Sequence, residues 1–315
     1  MFKAWIAAPL ALLLTTAAAP PAPGSSSVEI KGDRALIVED QKREALSLTF
    51  ADEFDGFSRF DGRRGLWRTA YWFHGEGAYE GRTMAWHQEQ QLYVHAGDKG
   101  TGDAPLGIDP FPVRDGMLEI TAARTTPAQA KALWDYQYTS GLITTKDAFS
   151  QAYGYFEMRA KLPAGKGLWP AFWLAPEDKS WPPEIDIVEM LGHEPTRVFV
   201  TTHVREGEQV HRNYVTVDTS KDFHTYGMAW SPRTIRYYFD RREMVRIATP
   251  KAVNKPLYVL ANLAVGGQWP GPVDETTPFP SKMIIDYIRV YQFDDRLKGR
   301  PKVVGPQSFA TPATP

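Results

Sequence analysis

Short runs rich in Val, Ile, Phe and Tyr recur along most of this chain, and clusters of Gly, Pro, Asn and Asp cut them apart. "TRVFVTTHV", "TIRYYFD", "PLYVLANLAV" and "KMIIDYIRVY" all have strand length and β-branched or aromatic content. In "GYFEMRAKL", Phe156, Met158 and Ala160 fall on one face and Tyr155, Glu157, Arg159 and Lys161 on the other. Successive side chains of a strand point to opposite faces, so this alternation fits a strand and not a helix. Only "TPAQAKALW" (126–134) and the 37–45 stretch read as helical. Many short strands with frequent turns predict an all-β fold, either sandwich or barrel. Two packed antiparallel sheets are the more economical form, because one sheet can bend into a concave cleft.

With 315 residues, the chain suffices for one large β-domain or two ordinary ones. It has no Cys. A domain of roughly 270 residues buries about three quarters of its unfolded surface and needs no disulfides. Formal net charge is -1, so nothing favours nucleic acid or an anionic membrane as a partner. Ten Trp suit an aromatic-lined binding surface.

Residues 1–22 read as an export signal: Lys3, then a mostly apolar run from Ala4 to Leu14, then Ala17, Ala18 and Ala19 as a cleavage region. The apolar run is too short to span a bilayer, and no later stretch is long enough. A periplasmic or extracellular, monomeric protein is expected. "PPAPGSSS" opens a linker or N-terminal extension over 23–44. The folded domain is expected over 45–293, from "ALSLTF", with a flexible tail over 294–315.

"WPPEIDIVEM" (181–190) places three carboxylates, Glu184, Asp186 and Glu189, in a run otherwise rich in Ile and Val. In a regular strand Glu189 would point away from the other two. A β-bulge at Ile187-Val188 would restore it to their face, and bulges are common beside active sites. Glu184 and Glu189 would then stand roughly 13 Å apart at Cα. Side chains leaning together could leave roughly 5 Å between carboxyl groups, the spacing of a retaining glycosidase. Close acids raise one another's pKa, so one can stay protonated while another is ionised. The same trio could instead bind Ca²⁺ or form a solvated strand face.

"EIDIVEM" resembles the E-x-D-x-x-E signature of glycoside hydrolase family 16. "YTSGLITTKDAFSQAYGYFEMRAKLPAGKGLWPAFWL" before it, "NLAVGGQWPG" after it, "DEFDG" near the start and "IDYIRVY" near the end agree. The resemblance covers roughly residues 45–292. Within the family it is most similar to bacterial endo-1,3-1,4-β-glycanases that cut exopolysaccharides such as succinoglycan. It implies a concanavalin A-like β-jelly-roll sandwich and a retaining mechanism. Glu184 would be the nucleophile, Glu189 the acid/base, and Asp186 a hydrogen-bond partner of the nucleophile. No cofactor is implied for catalysis.

The same resemblance places Trp169, Trp173 and Trp269 beside the acids as sugar contacts, and His203 near the acids, bonding sugar or carboxylate. Glu89 and Gln91 match the family pattern N-N-E-x-Q, although His87 and Gln88 replace the two Asn. Gly141-Leu142 stands where many laminarinases read Ala-Arg, which removes a fork of donors for sugar hydroxyls. That departure favours the exopolysaccharide branch over a laminarinase-type endo-1,3-β-glucanase. A structural Ca²⁺ on the convex face is a further expectation, with Glu53 and Asp286 as ligands or else as ordinary surface acids. From another class, a non-catalytic glycan-binding sandwich would use the same aromatics and leave the acids idle. A transglycosylase would share the covalent intermediate and differ only in the acceptor.

Overall fold

A computed structural model describes residues 26–73, 79–205 and 209–294. The expected export signal lies outside the described residues, as does the expected tail beyond Asp294. The fold is all-β: eighteen strands, one short α-helix and two 3-10 turns among the described residues. The helix, Pro127–Ala132, falls inside the stretch expected to be helical. Thr126 caps it, with a reciprocal bond from Gln129 and Pro in the first turn.

A six-stranded sheet carries the acids. In spatial order it runs Val210–Val215, Arg197–His203, Glu184–Glu189, Leu168–Pro176, Leu257–Val265, Leu142–Thr144, antiparallel throughout. A twelve-stranded sheet packs against its other face; Gly154–Lys161, His224–Trp230, Thr234–Phe239 and Ser281–Phe293 lie at its centre. Phe156, Met158, Met228, Trp230 and Val290 from the large sheet meet Phe172, Leu174, Ile185, Val200 and Leu263 from the small one in a single core. These residues supply the apolar half of each alternating run, so burial of that half fixes strand register.

Two expectations are corrected here. The segment expected to be a linker, with a helix over 37–45, instead forms the strands Ser27–Lys31, Arg34–Glu39 and Lys42–Asp52. Its charges disguise a period-two pattern in which Val28, Ala35, Ile37 and Leu46 share a small second core with Tyr155, Tyr238, Tyr291 and Phe293. Gly32-Asp33 makes the first hairpin turn, and Gly32 holds the positive φ (56°) that such a turn requires. The sheets are also not wholly antiparallel, since Gln91–Tyr93 and Tyr138–Ser140 run parallel.

The three N-terminal strands close the large sheet on itself. Lys42–Asp52 pairs with Ser281–Phe293, and Ser27–Lys31 meets the strand Arg242–Ala248 at Ser27 opposite Arg242. Closure removes exposed strand edges. It also explains why Tyr155 and Glu157, on the outward face of their strand, are fully buried. Glu39 and Glu44 pair across the ring with Arg236 and Arg246, which accounts for the linker-like charge. Among the described residues no helix is long and apolar enough to cross a membrane.

Candidate active site

The acid strand is bulged where parity requires. On one side Asp186 faces Thr201 and Glu189 faces Phe199, so three steps of the acid strand match two of its neighbour. On the other, Asp186 faces Trp173 while Val188 faces Phe172. The extra residue sits at Ile187-Val188, and both of these side chains, like Ile185, enter the core. Glu184, Asp186 and Glu189 are therefore left together on the opposite face.

Few donors satisfy these carboxylates. Trp181 Nε1 donates to Glu184 Oε2 at 2.8 Å, and Trp169 Nε1 donates to Glu189 Oε1 at 3.1 Å. His203 stands opposite Glu184 in the register, with Nε2 3.4 Å from Glu184 Oε1 and 3.1 Å from Asp186 Oδ2. Gln209 Nε2 lies 3.1 Å from His203 Nδ1. An amide donor there leaves the ring proton on Nε2, aimed at the acids. Asp186 is buried, and its Oδ2 makes no well-angled hydrogen bond to the protein.

Burial without a full cation partner pushes all three acids up. Glu184, whose side chain is 16% exposed, rises to about 7 through burial and then the Asp186 charge, against lowering by His203 and the Trp181 N–H. Burial raises Asp186 as well. Glu189 is held well above the usual carboxylate range, first by burial and then by the Asp186 charge. Near neutral pH one acid can be ionised while another keeps its proton, the condition for paired nucleophile and acid.

Aromatic rings border the trio. Trp169 is half-buried, meets Trp269 edge-on at 5.3 Å and stacks with His87 at 6.3 Å. Trp269 is also half-buried and packs edge-on to Phe199 at 4.9 Å. The turn carrying Trp269 needs glycine: a Cβ on Gly266 (φ 68°) would lie 2.3 Å from Gln90 Oε1. Gln268 N donates to His87 O at 2.8 Å, which docks this turn on the 85–91 segment.

Several expected sugar contacts prove to be supports. Trp173 is only 8% exposed, packed among Tyr71, Tyr93 and Leu142, and its Nε1 donates to Asn262 Oδ1 at 2.8 Å. Neighbouring aromatics cover the ring, so it offers little face to a sugar. Gln91 is fully buried; its Oε1 accepts from Val265 N at 2.6 Å and its Nε2 donates to Glu89 Oε2 at 2.6 Å. Glu89, pushed by burial to about 7, also accepts from Met84 N at 3.0 Å. These two tie the 84–91 segment to the sheet. Trp181 precedes Pro182-Pro183 and is a further aromatic of the site. It is 61% exposed, and its N–H holds Glu184.

The expected calcium ligands do not fit a cation. Glu53 receives both Nε and Nη2 of Arg289 at 2.7 Å, and Asp286 receives Arg159 Nη1 at 2.6 Å. A divalent ion at either acid would meet a guanidinium. Among the described residues, the group able to hold an ion with three ligands is Glu184, Asp186 and His203, whose ligand atoms lie within 4.8 Å of one another.

Fold and site together define an all-β protein of two packed sheets with a carboxylate trio in an aromatic-bordered face. The family model described as "Glycosyl hydrolases family 16" matches residues 113–289, and the chain belongs to that family. It is 42% identical over 254 residues to the endo-1,3-1,4-beta-glycanase ExsH of Rhizobium meliloti (strain 1021), covering 80% of this chain and 53% of that protein. It is 40% identical to EglC, an endo-1,3-1,4-beta-glycanase of the same organism, over the same shares. The chain thus spans about half the length of these relatives. The solved endo-beta-1,3-glucanase of Pyrococcus furiosus superposes with a TM-score of 0.65 at 32% identity, covering 82% of this chain and 98% of that one.

Proposed function

We propose that the chain is an exported, retaining endo-β-glycanase that hydrolyses a β-1,3/β-1,4-linked glucan or exopolysaccharide. The bulge that gathers Glu184, Asp186 and Glu189 on one face carries this reading. Ionised Glu184 attacks the anomeric carbon while Glu189 gives its proton to the leaving oxygen, forming a glycosyl-enzyme ester. Glu189, now a carboxylate, takes a proton from water as that water displaces Glu184. Burial favours a proton on Asp186, with which it would donate to Glu184 and modulate its charge. Trp181 orients Glu184, and Trp169 orients Glu189. The two-sheet body is read as the jelly-roll sandwich of the family. Fully buried Leu142, which offers no donor, supports the exopolysaccharide branch over the laminarinase one.

The test is a panel of lichenan, laminarin, succinoglycan and a galactan. Rapid viscosity loss with few new ends is expected on a mixed-linkage polymer, with the anomeric configuration of the first product retained by NMR. Glu184→Gln should abolish turnover in a folded protein. A preference for laminarin would move the protein to the endo-1,3-β-glucanase reading. Inversion, or undiminished activity of Glu184→Gln, would reject the mechanism.

A further inference from the structure

A pocket of about 490 Å³ lies apart from the acid trio. Tyr79, Trp134, Tyr136 and Tyr138 give it aromatic walls, and Gln90 and Asp135 add polar atoms. Its size falls in the range of roughly 300–1,000 Å³ seen for ligand sites. Nothing in the catalytic arrangement uses it.

Trp134 is the telling residue. It follows the capped helix 127–132 and Leu133, at a position where a left-handed residue ends the helix and Gly is usual. Trp134 (φ 51°) and Asp135 (φ 66°) are both left-handed, a conformation that a bulky side chain rarely adopts. Burial does not repay that strain, because Trp134 is 38% exposed. The turn itself is firm: Asp135 N donates to Ala130 O at 2.8 Å, and Leu133 is buried against Leu92 and Val94. A rigid turn thus holds a tryptophan out to solvent against local preference, and such exceptions cluster at binding sites. The ring lies 5.4 Å from that of Tyr79, so the two form a platform.

The more exposed tryptophans, Trp86 and Trp181, are both tied to the acid face: Trp181 bonds Glu184, and Trp86 meets His87 at 5.9 Å. One chain segment joins the two regions. His87 stacks on Trp169 beside the acids, and three residues later Gln90 lines the pocket. A polymer seated in the pocket would therefore lie near the strand it is cut on.

We infer that the Tyr79–Trp134–Tyr136–Tyr138 pocket is a second, non-catalytic site that binds a neutral β-linked stretch of the polysaccharide substrate. This rests on the glycanase reading for the identity of the polymer. Pyranose faces stack on the rings, while Gln90 and Asp135 meet hydroxyls. A carboxylate in the wall disfavours an acidic sugar there.

The experiment pairs binding with kinetics. Binding of the full chain to lichenan is read in native affinity gels, in the Glu184→Gln background so that no polymer is cut. Trp134→Ala with Tyr136→Ala should weaken retardation about fivefold to tenfold, the loss of a stacked ring or two. In active protein the same pair should raise KM for lichenan by a similar factor. It should leave kcat/KM unchanged on an aryl trisaccharide too short to reach both regions. Trp134→Phe should restore most of the binding. Unchanged retardation, or no retardation of the parent by lichenan, would overturn the pocket. So would an equal loss on the short substrate, since that would mean the substitutions act through the cleft or the fold. Because the gels need no turnover, failure of the catalytic reading and failure of this one are told apart.

Discussion

Two groups of buried carboxylates occupy the two sheets, and they are treated in opposite ways. On the outer ring, Glu157 is fully buried and accepts from Arg241 Nε and Nη2 at 3.1 Å, Tyr155 OH at 2.6 Å and Tyr287 OH at 2.8 Å. Nearby, Glu243 accepts from Arg246 Nε and Nη2 at 2.7 Å. Burial would raise Glu243, but the Arg246 and Ser26 bonds outweigh it and hold the group below its usual range. On the inner sheet, Glu184, Asp186 and Glu189 have two indole N–H groups and one imidazole between them, and all three are pushed up. Full pairing marks acids that hold the fold together. On the acid strand, under-compensation leaves protonation available for chemistry.

Substitutions should separate the two groups cleanly. The largest effect is kinetic. Glu189→Gln should lower kcat about 10³- to 10⁴-fold on a polymer, the upper range for a lost general acid. The loss in the first step should be far smaller on an aryl glycoside whose phenolate leaves without a proton. Steady-state and burst kinetics on both substrates check this. Equal losses on both would exchange the roles assigned to Glu184 and Glu189.

Next comes stability on the outer ring. Arg241→Met strands Glu157 as a buried charge without its cation. Loss of one partner of a buried pair costs about 3 kcal/mol, or roughly 6–12 °C in Tm at this size. Activity of the protein that remains folded should be near normal. A variant with normal Tm and impaired turnover would erase the distinction between the regions.

Smaller, and of opposite sign, is the stability effect at the inner site. The folded-state pKa of Glu184 is raised, to about 7. Its neutral form is therefore favoured by folding, and stability is lost as pH climbs from the ordinary carboxylate range through 7. Glu184→Gln stays neutral throughout. It should melt several degrees higher than the parent at pH 8 and about equally at pH 4. Differential scanning calorimetry at the two pH values decides it. A destabilised variant at pH 8 would show that the negative charge is structural.

The sequence made the inner site more legible than the outer ring, for a physical reason. Ile185, Ile187 and Val188 can all be buried only if the strand kinks, so the bulge follows from parity within a few residues. The ring closure instead depends on Ser27 meeting Arg242, a contact across most of the chain, and its glutamates and arginines read locally as a solvated linker. The period-two pattern of Val28, Ala35 and Ile37, with Gly32 at the turn, was the available signal. Pro182-Pro183 gives Trp181 the look of a plain loop residue, yet only three positions separate it from Glu184. Gln91 matched a family pattern, but matching a motif does not say whether a side chain points at the ligand or holds the segment that does. Asn262 opens the "NLAVGGQWPG" run but shows its role only through Trp173, and Gln209, which carries no local signal, shows its role only through His203.

The smallest effect tests how far the inner acids are compensated. His203 is the imidazole nearest to Glu184 and Asp186, and it lowers Glu184 against the rise caused by burial. In the proposed mechanism the nucleophile must be ionised, so activity should fall at low pH as Glu184 gains its proton. Removing the imidazole should raise the pKa of Glu184 further. In His203→Ala the acidic limb of kcat/KM should therefore move to higher pH by up to about one unit, with less than about a tenfold loss at the new optimum. His203→Gln, which can still donate a hydrogen bond, should keep more of the rate but show the same displaced limb. An unmoved limb in both variants would mean that His203 serves the sugar and not the acids. The contrast between the sheets would then rest on the indole donors alone.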